Sequence, residues 1–252
     1  MSKQSELNPS VDSRLLTSNE KTKNLKQTPP LHYQIKTMDC VSHTWSKPNL
    51  KFIATDHHNG QRFTNLVKAQ EKLGRWDLLK WIMSRKSQTW TGDFEAETKE
   101  FFATQKALPE ERPLAPMSDW QIWYIGHATV LIQIGPYNFL TDPVWAEHVS
   151  PKQGYGPKRV IPAGIALEQL PQIHAVLLSH NHYDHMDLAS LTWLHKKFAM
   201  PIYTGLGNSY YLPKAFHVIE MDWWQSALLH QLRIVYTPAQ HGSGRGARDQ
   251  NL

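Results

Sequence analysis

The sequence predicts a mixed fold, α/β or α+β, and three features predict it. Short runs of strand character, some joined by tight turns, crowd the stretch after Trp120. An amphipathic helix interrupts them between Asp187 and Phe198. The composition, 40% apolar and 19% charged over 252 residues, is that of a chain that buries a core rather than one that stays disordered.

Residues 1–30 are polar, close on Thr28-Pro29-Pro30 and show no apolar period, so they read as a flexible tail. Residues 31–116 read as an N-terminal extension. Within it, His57-His58-Asn59-Gly60 marks a turn. Asn65 to Lys86 predicts a helix, because Leu66, Ala69, Leu73, Trp76, Leu79 and Met83 recur at three- and four-residue steps with Lys and Arg between them. A second helix is expected from Phe94 to Leu108, closed by Pro109, with Pro113 and Pro116 forming a linker.

Residues 117–252 read as one domain. Gln121–Ile125, Thr129–Ile134 and Tyr137–Thr141 predict three strands, and Gly135-Pro136 predicts a hairpin between the last two. Three Pro and three Gly in residues 151–164 predict a surface loop. Ile173–Leu178 reads as a buried strand. Asp187–Phe198 reads as a helix with Asp187 at its N-cap and an apolar stripe of Leu188, Leu191, Leu194 and Phe198. Pro201–Thr204, Ala215–Ile219 and Leu232–Tyr236 predict three further strands.

Composition also excludes functions. No apolar run approaches the roughly 20 residues that cross a bilayer, and Met1 to Ser10 lacks a signal-peptide core. Cys40 stands alone, so no internal disulfide is expected. These features predict a cytoplasmic protein. The net charge of +5 is local: residues 62–86 hold seven basic and two acidic side chains, whereas residues 87–252 are net acidic. With no nucleic-acid motif present, nucleic acid is not an expected partner. The basic helix over residues 65–86 either rests on anionic lipid at the inner face of a membrane or packs on the domain with a solvated face.

The chemistry concentrates in Ser179-His180-Asn181-His182-Tyr183-Asp184-His185, between a strand and a helix. Four metal-ligand side chains fall within six residues. In extended chain His180 and His182 point to one side, and the turn into the helix can swing Asp184 and His185 toward a second position beside the first. Imidazole and carboxylate suit Zn²⁺, with Fe or Mn as alternatives.

His180-x-His182-x-Asp184-His185 resembles the signature of the metallo-β-lactamase superfamily. Four flanking stretches resemble the branch typified by N-acyl-phosphatidylethanolamine-hydrolysing phospholipase D and its bacterial relatives. They run from His58 to Asn65, from Trp123 to Ile132, from Leu140 to Trp145 and from Thr237 to Gly246. Met221-Asp222-Trp223-Trp224 fits the same branch. The resemblance covers roughly residues 55–252.

It implies an αββα sandwich and assigns roles. His180, His182 and His241 hold one metal. Asp184 and His185 begin a second and are the expected catalytic residues. Asp142 either orients a metal-bound histidine from behind or serves only as a turn former before Pro143. His127 is either a helper near the site or a satisfied core histidine. The family also supplies a bridging Asp and a final His further on. The sequence ends at Leu252 with Asp249 as the only acid after His241, so the sandwich is expected to be incomplete at the C-terminus. The implied activity is hydrolysis of a phosphodiester carrying a lipid-like group, by hydroxide formed on one or two zinc ions. A lactonase, a nucleotide phosphodiesterase or a truncated, non-catalytic metal-binding protein are the alternatives. No Gly-x-Ser-x-Gly nucleophile motif competes.

Overall fold

The computed structural model describes residues 52, 54–60, 62–65, 75–84, 96–97, 100, 108–150 and 154–245. Its centre is a six-stranded sheet in sequential order. The strands are β1 (Trp120–Gly126), β2 (Thr129–Ile134), β3 (Tyr137–Thr141), β4 (Ala175–Leu178), β5 (Ile202–Gly205) and β6 (Val218–Met221). β1 to β3 form an antiparallel meander, with Ile122 opposite Ile132 and Ile132 opposite Phe139. From β3 onward neighbours run parallel, with Leu140 opposite Val176 and Val176 opposite Ile202. A separate antiparallel ribbon pairs β7 (Ser226–Leu229) with β8 (Leu232–Val235).

The alternation of strand side chains builds two cores. On one face Leu131, Leu140, Val176, Leu178 and Ile202 are sealed under α2 (Leu188–Phe198), through its Leu191 and Leu194. The helix starts as the sequence predicts: Asp187 caps it by accepting from the Ala189 N–H at 3.1 Å. It ends at Ala199 in the left-handed region, φ 50°, whose N–H returns to the His195 carbonyl. On the other face Phe139, Ala175, Tyr203 and Ile219 pack against Ala227 and Leu229 of the ribbon. The ribbon leaves the outer edge of that face open, and Trp120, Ile122 and Tyr124 of β1 are exposed there.

Several expected boundaries shift for local reasons. The strand expected from Ala215 begins at Val218, because Pro213–Phe216 closes a turn in which the Phe216 N–H reaches the Pro213 carbonyl. The strand expected from Ile173 begins at Ala175. β7 is a strand where the sequence predicts none. It is four residues long, and its turn to β8 runs through His230 with φ 54°, not through an Asn-Gly or Asp-Gly pair.

Of the helix expected over Asn65–Lys86, α1 (Arg75–Ser84) is helical, Asn65 is not, and the intervening and following residues lie outside the described ones. Of the expected Phe94–Leu108 helix, Ala96, Glu97 and Glu100 are helical, Leu108 is not, and the rest lies outside the described residues, as does the tail over 1–30. No described helix is long and apolar enough to cross a membrane.

Residues 54–60 and 62–65 form a small hairpin, with the Thr64 N–H on the His57 carbonyl and His58 bridged to Phe63. This hairpin docks on the sheet through His57. Its Nε2 lies 2.8 Å from Asp222 just past β6, and its ring stacks on Trp223 at 4.2 Å.

Candidate metal centres

The motif lies where the parallel strands end, the customary place for sites in such sheets. β4 delivers Ser179 and His180 as it leaves the sheet, the turn at Tyr183–His185 brings the next ligands round, and α2 follows. His241 arrives from β8.

Among the described residues two groups of candidate ligands result, each with its donor atoms within 4.8 Å of one another. The first is His180, His182 and His241. The second is His127, Asp184 and His185. In the first, His180 Nε2 faces His182 Nδ1 at 2.9 Å, and the His241 ring lies 4.7 Å and 5.2 Å from theirs, centroid to centroid. Zinc–imidazole bonds of about 2.0–2.1 Å place tetrahedral ligands about 3.3 Å apart, so opening the cluster by a few tenths of an ångström fits an ion. Burial, followed by the neighbouring imidazoles of His185, His182 and His241, pushes His180 down to about 4. The ring is therefore neutral at physiological pH, as a metal ligand must be.

In the second group His127 Nε2 lies 3.0 Å and His185 Nε2 3.6 Å from Asp184 Oδ2. Burial disfavours the Asp184 charge, but backbone hydrogen bonding and the imidazoles of His185, His127 and His182 outweigh it and hold the carboxyl below its usual range.

Asp142 braces both groups. Just past β3 and 5% exposed, it accepts from the Ser179 N–H through Oδ1 and from the Ser179 hydroxyl through Oδ2, both at 2.7 Å. The same Oδ2 accepts from His185 Nδ1 at 2.8 Å. The Ser179 hydroxyl has spent its proton on Asp142, so it accepts from His180 Nδ1 at 2.9 Å. One carboxylate thus fixes the tautomers of His180 and His185 and turns both Nε2 atoms toward the clusters. Burial opposes the charge of His185, yet the Asp142 hydrogen bond prevails and raises its pKa.

Asp142 and His127 are also two of the few non-glycine residues with positive φ, at 33° and 49°. Strain of that kind, located at the site, marks a backbone shaped for placement of side chains. Of the alternatives in the sequence, the structure places Asp142 against His185 and Ser179. It places His127 half-exposed beside Asp184, not in the core. Ser179 and Tyr236 have roles at the site that no sequence signal marks. The Tyr236 hydroxyl donates to the Ser179 carbonyl at 2.8 Å, tethering β8 to the ligand loop. Its ring lies against Gly205, where any Cβ would collide with the hydroxyl. Burial pushes Tyr236 up to about 12.

A cavity of about 410 Å³ opens beside the second group. His127 and Asp184 line it together with Tyr124, Val144, Val149, Val160 and Ile161.

The ends of the parallel strands in this mixed sheet thus bring together two groups of candidate metal ligands. Residues 137–252, somewhat under half of the chain, match the β-lactamase superfamily domain. An uncharacterized protein of Mycobacterium tuberculosis (strain ATCC 25618 / H37Rv) is 40% identical over 128 residues, 49% of this chain and 34% of that protein. N-acyl-phosphatidylethanolamine-hydrolyzing phospholipase D 1 of Caenorhabditis elegans is 34% identical over 140 residues, covering 51% of this chain and 39% of the worm protein. The mitochondrial enzyme of the same name from Saccharomyces cerevisiae is 34% identical over 118 residues, 44% and 25% of the two chains. The chain thus spans well under half the length of these curated relatives. Among solved structures, a metallo hydrolase from Ignicoccus hospitalis aligns at 22% identity with a TM-score of 0.37, over 50% of this chain and 51% of its own, a likeness too slight to argue from.

Proposed function

We propose that the protein is a metal-dependent hydrolase of phosphodiesters that carry an apolar chain. The observation that carries this reading is the position of the cavity: a largely apolar wall, which also holds Glu147, Lys158 and Arg159, that reaches His127 and Asp184. When bound at the two clusters, divalent metals, with zinc as the first candidate, supply Lewis-acid polarisation and activation of water near neutral pH. The chain's own residues do the rest. His180, neutral, forms one ligand set with His182 and His241, and Asp142 orients His185 in the other. The wall of Tyr124, Val144 and Val160 excludes water from an apolar substituent, at roughly 25 cal/mol per Å² buried. The relatives named for hydrolysis of N-acyl-phosphatidylethanolamine support the substrate class.

A membrane contact fits the same reading. Trp76, Leu79 and Met83, three and four residues apart on α1, are exposed, as is Trp81. The test is turnover of bis(p-nitrophenyl) phosphate and of a series of alkyl phosphodiesters by metal-loaded protein. Turnover that depends on the metal and rises with chain length is expected. Metal-loaded protein with no phosphodiester turnover, or with equal turnover at every chain length, refutes the reading.

A further inference from the structure

The first cluster has a problem of assembly. His180 and His182 follow β4, whereas His241 follows β8, a strand of a different sheet. Among the described residues no strand ladder holds the second loop against the first. The Tyr236 tether to Ser179 fixes only the near side of His241.

The far side is held by other groups. Asn181, between the two histidines and 1% exposed, turns its Oδ1 to the opposite loop. There it accepts from the Ser243 hydroxyl at 2.8 Å and from the Gly244 N–H at 2.6 Å. Arg245 answers from that loop. Its Nη1 donates to the Asn181 carbonyl at 3.0 Å and to the Met186 carbonyl at 2.8 Å. Its guanidinium lies 3.9 Å from the centre of the Tyr183 ring, and the Tyr183 hydroxyl donates to the Arg245 carbonyl at 3.1 Å. The two positions of the motif that are not ligands, Asn181 and Tyr183, are thus both engaged by residues 243–245. His241 lies in the chain between this clamp and Tyr236.

We propose that Arg245, acting with Asn181, is a positioning residue that sets the distance of the His241 imidazole from those of His180 and His182, and thereby the metal affinity of the first cluster. This rests on the metal-site reading above. The residue type matches the task. A planar guanidinium reaches two carbonyls through one nitrogen while its face covers an aromatic ring; an ammonium offers neither the plane nor the stack. Burial lowers the Arg245 pKa, and the Tyr183 contacts oppose that shift.

The test is a competitive Co²⁺ titration of the metal-stripped 252-residue protein, following the visible d–d bands, alongside Arg245→Met, Arg245→Lys and Ser243→Ala. Arg245→Met is expected to weaken the tighter site about 10–100-fold, as loss of groups behind metal ligands does, and to diminish the tetrahedral Co²⁺ bands. The melting midpoint of the metal-free form should move only a few degrees. Arg245→Lys should recover part of the affinity and little of the spectrum. Ser243→Ala removes one hydrogen bond, keeps the fold in play should Arg245→Met misfold, and is expected to weaken the site about fivefold. Wild-type affinity and spectrum in Arg245→Met overturn the proposal, as does wild-type behaviour of Ser243→Ala should Arg245→Met fail to fold. A wild-type protein that binds no Co²⁺ overturns the metal-site reading itself and this proposal with it.

Discussion

The two ligand clusters sit side by side but are put together differently. His180, His182 and His241 come from loops about sixty residues apart, and their geometry depends on tethers, Tyr236 on one side and Arg245 on the other. Asp184 and His185 are neighbours in one turn, joined by His127 from the β1–β2 hairpin, and a single buried carboxylate holds His185. The first cluster is therefore sensitive to anything that moves one loop against another, the second to the loss of Asp142. The largest effect should come from His180→Ala with His182→Ala, which removes two of three imidazoles. Most of the firmly bound metal should be lost, as counted by elemental analysis of dialysed protein. Undiminished metal content would erase the distinction between the clusters.

Asp142→Ala comes next. It should weaken the second cluster about 10–100-fold, and the first less, because the first feels Asp142 only through Ser179. Two-site titration with Zn²⁺ separates the effects, and equal losses at both would make Asp142 a general support. Gly205→Ala pushes on the Tyr236 ring, which is anchored at both ends. A destabilisation of about 1–3 kcal/mol in urea unfolding is expected, with some loss of affinity at the first cluster.

The smallest effect concerns His57, which touches neither cluster. Burial lowers its pKa, but the hydrogen bonds to Asp222 and Asp56 prevail and raise it above 6.5. A raised folded-state value means the contact stabilises fully below 6.5 and fades as pH climbs through the raised value. Wild type should thus lose its stability advantage over His57→Gln as pH climbs from 6.5 through the raised value in urea unfolding, with both metal affinities unaltered. An advantage that grows with pH would reverse the assignment.

Much of this was legible in the sequence where the signal was local. Ligand spacing in 180–185, the cap at Asp187 and the strands from Thr129 to Thr141 all depend on neighbours within a few residues. The clamp was not legible, because Asn181 reads as a spacer between histidines until Ser243 and Gly244 are seen beside it. Asp142 carried two equal meanings in the sequence; only the approach of β3 to β4 puts it against Ser179 and His185. The small size of β7 and its unusual turn hid it, although the burial of Ala227 and Leu229 around exposed Leu228 has the expected strand period.

The stacking of His57 on Trp223 turns the docking of the His57–Thr64 hairpin into something that can be seen with light. An indole in face contact with an imidazole loses emission when the imidazole takes up a proton. Excitation of Trp223, isolated by difference from Trp223→Phe, should therefore brighten as pH rises through the His57 pKa. It should shift to the red when the hairpin lifts away and admits water to the ring. The sequence thus carries its own optical reporter for whether its N-terminal hairpin is seated.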